Sequence, residues 1–184
     1  MNQLPTVTKN LLIINVLCFF GAIVAKKYGM DLNQTWGLHF FLASDFNVAQ
    51  LVSYMFLHAN FEHLFFNMFA VWMFGRTLEL VWGPKRFLTY YVVCGVGAGL
   101  VQELVQYIEY VSVLQDFHTV DIGTAIIPMS EYLNLMNTVG ASGAVYGILL
   151  AFGMLFPNTD VPIEAVSIKG KRVFNEVIFI SNIG

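Results

Sequence analysis

Charge is what this sequence has least of. Of its 184 residues, 11% are Asp, Glu, Lys or Arg, where soluble domains carry about 25%. With 57% hydrophobic residues and a mean hydropathy of +0.66, the chain has too few polar side chains to cover a water-facing surface. That excludes an ordinary soluble domain and makes the lipid bilayer its natural surroundings. The net charge of −3 and pI of about 5.7 exclude nucleic acid as a partner. Cysteine is scarce, and Cys18 and Cys94 both fall in apolar stretches. They read as free thiols, not as a disulfide framework or a metal site. Histidine is missing from the C-terminal part: His39, His58, His63 and His118 are the four, and none follows residue 118. What the chain does have is aromatic surface, with 17 Phe, 8 Tyr and 3 Trp. Such residues suit lipid contact and anchoring at the membrane interface.

Four stretches are apolar enough to read as spans, at about 8–25, 64–82, 87–108 and 141–156. A span needs about 20 residues. The fourth is short and rises only about 24 Å at 1.5 Å per residue, so its start is expected below the near surface. The first stretch has some look of a signal peptide, but Lys26 and Lys27 follow it at once, and a retained span is the reading taken. Residues 1–156 are thus expected to form one all-α, polytopic membrane domain, and 157–184 a polar tail that is not a span.

Between the first two spans, residues 48–56 predict a short amphipathic helix at the interface. Residues 111–139 form a long loop with Asp116, Asp121 and Glu131 and no Lys or Arg. Loops of that length are often functional. Lys9, Arg76, Lys85, Arg86, Lys169, Lys171 and Arg172 fall on one side of the membrane, and only Lys26 and Lys27 on the other. By the positive-inside rule the larger group is cytoplasmic, and the basic-free loop before residue 142 faces the exterior. In the tail, residues 166–168 and 173–180 around Lys169-Gly170-Lys171 predict at best a weak β-hairpin.

The chemistry-bearing residues gather at the outer ends. Gly140-Ala141-Ser142-Gly143 opens the fourth apolar stretch. Small residues at that spacing ordinarily mean helix packing, as do Gly95 with Gly99, and Gly143 with Gly147 and Ala151. A serine at a helix N-terminus has a second use, because free N–H groups and the helix dipole stabilise an oxyanion there. Tyr146 lies one turn below it on the same face. On the second span His63 and Asn67 share a face, Asn60 predicts the N-cap, and His58 stands just before the helix. Polar groups at membrane depth are costly, which favours a functional reason for keeping them. Arg76 and Glu79, three apart, predict an ion pair between packing glycines.

The ordered set His58-x4-His63-x3-Asn67, then Gly75-x3-Glu79-x3-Gly83, then Gly140-Ala141-Ser142-Gly143 resembles the rhomboid intramembrane serine proteases, over about residues 11–156. The resemblance implies a rhomboid-type helical bundle, with four of the family's six spans present. It implies a serine endopeptidase that cuts transmembrane segments of other membrane proteins and needs no cofactor or metal. Ser142 is then the nucleophile. His63 and Asn67, with the Ser142 backbone N–H, hold the oxyanion. His58, Gly140, Gly143 and Tyr146 shape the site. The family's general base is a histidine on the sixth span, and no such residue occurs here. The Trp-Arg pair of the family's first outer loop is also absent. Two explanations are carried forward, a piece of a longer rhomboid and a degenerate relative. On either, the 184 residues alone are expected to be inactive or nearly so.

An alternative of another class is a non-catalytic rhomboid-like protein that binds transmembrane helices without cutting them. The missing base favours it; the intact set of Ser142, His63 and Asn67 opposes it. A channel is disfavoured because no polar stripe runs through the spans. A zinc site at His58 and His63 lacks a third ligand.

Overall fold

The structure is a computed structural model that describes residues 3–158, 160–163 and 166–169. Among the described residues three helices are long and apolar enough to cross a membrane: Thr6–Lys27, Phe61–Trp82 and Pro84–Leu114. The first is α1. The second is built from α4 (Phe61–Ala70), a π-helical turn (Val71–Gly75) and α5 (Arg76–Trp82). The third is α6 (Pro84–Glu109), prolonged by a second π turn (Tyr110–Leu114). The short fourth apolar stretch is helix α8 (Ser142–Leu155), 14 residues long. The molecule is therefore a helical membrane bundle, as its composition demands.

Each long helix starts earlier than its apolar run. For α6 the reason is local: Gly83 turns the chain at φ 81°, which glycine adopts freely, and Pro84 occupies the first helical position, where its missing N–H costs nothing. In α1 the buried stripe is Thr8, Leu11, Asn15 and Phe19, spaced so that all four share one face. The other faces expose Ile13, Leu17, Phe20 and Val24. Such surface is unfavourable in water and suits acyl chains.

The C-terminal end of the second long helix departs from expectation. Glu79 does not pair with Arg76. Its buried carboxylate accepts the Val7 N–H (2.9 Å), the Thr8 N–H (2.7 Å) and the Thr8 hydroxyl (2.8 Å). The N-cap position of α1 is Pro5, with no capping side chain of its own. Glu79 thus fills that role from across the bundle, where orphan N–H groups and the positive helix end favour an anion. Three short bonds from a helix start outweigh one guanidinium on the carboxylate's own helix. The salt bridge found among the described residues is Lys26–Asp31, at 3.0 Å.

Helices α6 and α8 pack closely through the small residues of α8. A Cβ at Gly143 would overlap Ala98, and one at Gly147 would lie 2.5 Å from Cys94 Sγ. Gly95 and Gly99 of α6 serve a different purpose from the expected helix contact. They leave room for Met55, Tyr54 and Leu38, which belong to the first loop.

That first loop is a folded body. It holds α2 (Leu32–Trp36), strand β1 (Leu38–His39) and α3 (Gln50–Ser53), which runs into a 3-10 turn at Tyr54–Phe56. Residues 48–56 were expected to lie along the interface, but Gln50, Tyr54 and Met55 are buried and α3 packs on α6. Gln50 explains the difference. Its amide bonds His39 N–H, Asn47 N–H, Thr35 C=O and Asp45 C=O, which makes it a hub, not a polar face for water. The second long loop contains the hairpin β2 (Thr119–Asp121) and β3 (Ile126–Pro128), helix α7 (Met129–Leu135) and strand β4 (Asn137–Thr138). Strand β4 pairs antiparallel with β1, Leu38 opposite Thr138 and His39 opposite Asn137. Beyond α8, β5 (Asp160–Ile163) pairs with β6 (Val166–Lys169). The hairpin expected there was to use 173–180 as its second strand; those residues lie outside the described ones.

Candidate active site

Span two begins as its sequence dictates. The Asn60 side chain accepts the His63 N–H at 2.8 Å, a good N-cap, and Glu62 sits in the first turn. His63 follows at the helix mouth and Asn67 one turn deeper. The Asn67 amide donates to the His63 carbonyl at 2.9 Å. One N–H of that amide is engaged within the helix, and its second N–H remains a donor.

His58 is fully buried in the segment before the helix, its ring edge-on to His63 with centroids 5.1 Å apart. Neither of its ring nitrogens has a hydrogen-bond partner among the described residues. Burial first, and the neighbouring His63 second, push its pKa down to about 4. His58 is therefore neutral at pH 7.

The serine arrives from the other side. Gly140 has φ 131°, a conformation that disfavours a side chain, and its N–H donates to the Tyr54 carbonyl at 2.9 Å. A Cβ at Gly140 would lie 2.5 Å from His63 Cε1 and 2.7 Å from His63 Nε2. The backbone two residues before Ser142 thus lies directly against the His63 ring. Ser142 is half-buried and is the first residue of α8. No side chain caps this helix, so its first-turn N–H groups remain free to receive an anion.

His63 lies between two of the other expected residues, with the His58 ring edge-on to it and Gly140 against its ring, and Ser142 and Asn67 adjoin this group along the chain. Gly143 is turned toward Ala98 of α6. Tyr146 is exposed on the Ser142 side of α8, in line with exposed Leu150 and Met154. The other two histidines lie outside the cluster. His39 is buried with Gln34 at 3.1 Å and the Gly37 carbonyl at 3.2 Å, and His118 is exposed on the second long loop.

Sequence reasoning did not find the supports. Tyr54 holds Gly140 with its carbonyl and donates its hydroxyl to Gly95 of α6 at 2.7 Å. Asn137, Asn33 and Gly37 join the two loops beside it. Two-residue strands and backbone carbonyls leave no pattern to read.

Fold and site together define an integral membrane protein of the helical-bundle class, with a polar cluster at one end of its helices. The Rhomboid domain profile matches residues 45–183, and the chain belongs to the rhomboid family. Among its curated relatives, the Bacillus subtilis (strain 168) protein YdcA is 28% identical over 156 residues, 84% of this chain and 65% of its own length. Rhomboid protease AarA of Providencia stuartii is 32% identical over 97 residues, covering 53% of this chain and 30% of that protein. The mitochondrial Rhomboid protein 1 of Saccharomyces cerevisiae is 25% identical over 121 residues, 65% of this chain and 29% of that one. The chain spans less than two thirds of the length of each.

Proposed function

We propose that the chain carries the nucleophile half of a rhomboid-type intramembrane serine endopeptidase, acting on transmembrane segments of other membrane proteins. The observation that carries this reading is the His63 ring lying on Gly140 at the uncapped start of α8. Ser142 Oγ attacks the peptide carbonyl. The oxyanion formed is received by the Ser142 N–H, by His63 and by the second N–H of the Asn67 amide. Neutral His58 packs on His63 and holds its ring in place, and Tyr146 borders the open side. The acyl-enzyme is then hydrolysed by water. A serine hydroxyl needs a proton acceptor. The resemblance places that acceptor on a later span, and the 184 residues supply no histidine beyond Ser142.

The charge distribution supports an exterior-facing site, with residues 1–156 as one rhomboid-like domain crossing the membrane four times. A second reading is a rhomboid-like protein that binds transmembrane helices without cleaving them, for which the same polar cluster would serve recognition alone. One experiment separates the two. Residues 1–156 are joined to the last two spans of a rhomboid relative and assayed on a model transmembrane substrate. Cleavage that is lost in Ser142→Ala and reduced less in Asn67→Ala is expected, since one oxyanion donor contributes about 3 kcal/mol in a soluble protease. Cleavage that survives Ser142→Ala sinks the protease reading.

A further inference from the structure

The arm that carries the serine and the arm that carries the histidines are far apart in sequence, and the first loop ties them together. The Asn137 side-chain amide donates to the Asn33 carbonyl at 2.8 Å. That carbonyl also receives the Gly37 N–H at 3.0 Å. The Asn33 side chain in turn donates to the His58 carbonyl at 3.2 Å. Only the NH2 end of an amide can bond a carbonyl, so both side-chain orientations are determined. Asp31 accepts from Asn33 N–H (3.0 Å) and Gln34 N–H (3.2 Å) and so holds the start of α2 in place.

Gly37 makes this arrangement possible. A Cβ there would overlap both the Asn137 side-chain oxygen and the Asn33 carbonyl. Its backbone, φ −64° and ψ 157°, is one that any residue adopts. The absence of a side chain at position 37 therefore serves close approach and not chain direction. Asn137 stands three residues before Gly140, which touches His63.

We propose that Asn137 is a positioning residue of the candidate site: its bond to Asn33 fixes the strand that lays Gly140 on His63 and delivers Ser142 beside it. This rests on the reading of Ser142 as the nucleophile. The path Asn137–Asn33–His58 keeps the two arms in register, and reacting groups misplaced by about 1 Å lose on the order of a hundredfold in rate.

The test uses the full 184-residue chain in nanodiscs, with two readouts. One is the NMR resonance of the His63 Cε1–H, which lies against Gly140; the other is amide hydrogen exchange at Gly140. Asn137→Asp keeps the shape and removes the donor. It is expected to shift the His63 resonance and to speed Gly140 exchange about tenfold, the equivalent of one hydrogen bond lost. Asn134→Ala breaks comparable loop bonds to Ser44 and Asp45, and it leaves both readouts unchanged. A wild-type His63 resonance and wild-type Gly140 exchange in Asn137→Asp overturn the proposal. Should Asn137→Asp not fold, Asn137→Ala makes the same test, because it removes the same donor without adding a charge. Neither readout depends on activity, so failure here is distinct from failure of the protease reading, which Ser142→Ala decides.

Discussion

Tyr54 and Gly140 are joined by a backbone hydrogen bond of 2.9 Å, and the same tyrosine donates its hydroxyl to Gly95 of α6 at 2.7 Å. One residue of the first loop thereby fixes both span three and the approach to Ser142. The serine is placed by the first loop as much as by its own helix.

Gly140→Ala brings two separate costs. A side chain at φ 131° is strained, by about 1–3 kcal/mol, and its Cβ meets His63 at 2.5 Å. Unfolding measurements in detergent should show a clear loss of stability. In a His63→Ala background the steric part disappears and only the backbone part remains. Equal losses in both backgrounds would mean that His63 does not press on Gly140.

Glu79 and Arg76 should behave very differently. Glu79→Ala strips the start of α1 of its only side-chain cap and should cost roughly 2–3 kcal/mol, within the range for hydrogen bonds to a charged group. Arg76→Ala should change stability by a few tenths, as surface substitutions do. Thermal unfolding of the two variants side by side decides the matter. Similar losses would restore the ion pair read from their spacing.

His58 makes stability depend on pH with a defined sign. Its folded pKa of about 4 lies below the ordinary value of 6.5. Between those values the unfolded chain binds a proton that the folded chain refuses. The contribution is whole above pH 6.5, declines as pH falls toward 4, and changes no further below that. At 1.36 kcal/mol per unit it amounts to at most roughly 3 kcal/mol. The stability of wild type relative to His58→Leu, read from unfolding midpoints between pH 7.5 and about 4, should therefore fall on acidification. Parallel curves would show that His58 does not titrate in this window.

Orientation is tested by labelling. In a background with Cys18 and Cys94 replaced, Asp121→Cys should react with an impermeant thiol reagent on intact cells, and Lys85→Cys should not. The opposite pattern would invert the topology and turn the Ser142 end toward the cytoplasm.

The three long apolar helices were legible because lipid demands long apolar runs, and the start of α4 was legible because Asn60 caps a helix by local chemistry. Gly140-Ala141-Ser142-Gly143 could be read as a helix start because it opens an apolar run. Glu79 was misread because its nearest basic neighbour in sequence is not its partner in space, which begins 71 residues upstream. Residues 48–56 were misread because Gln50 looks like a polar face until its four loop partners are known. The joint between β1 and β4 is two residues long on each side and has no periodicity at all.

The Glu79 clasp also has a mechanical side. It anchors α1 at its first turn, and the buried stripe down to Phe19 holds the helix against the bundle. The helix is 22 residues long, about 33 Å at 1.5 Å per residue. At its far end Lys26 pairs with Asp31, Asp31 caps the first turn of α2, and the Asn33 side chain in that turn bonds the His58 carbonyl. The two ends of α1 are thus tied into different parts of the molecule, one into the helix that carries Glu79 and the other, through α2, into the loop that carries His58.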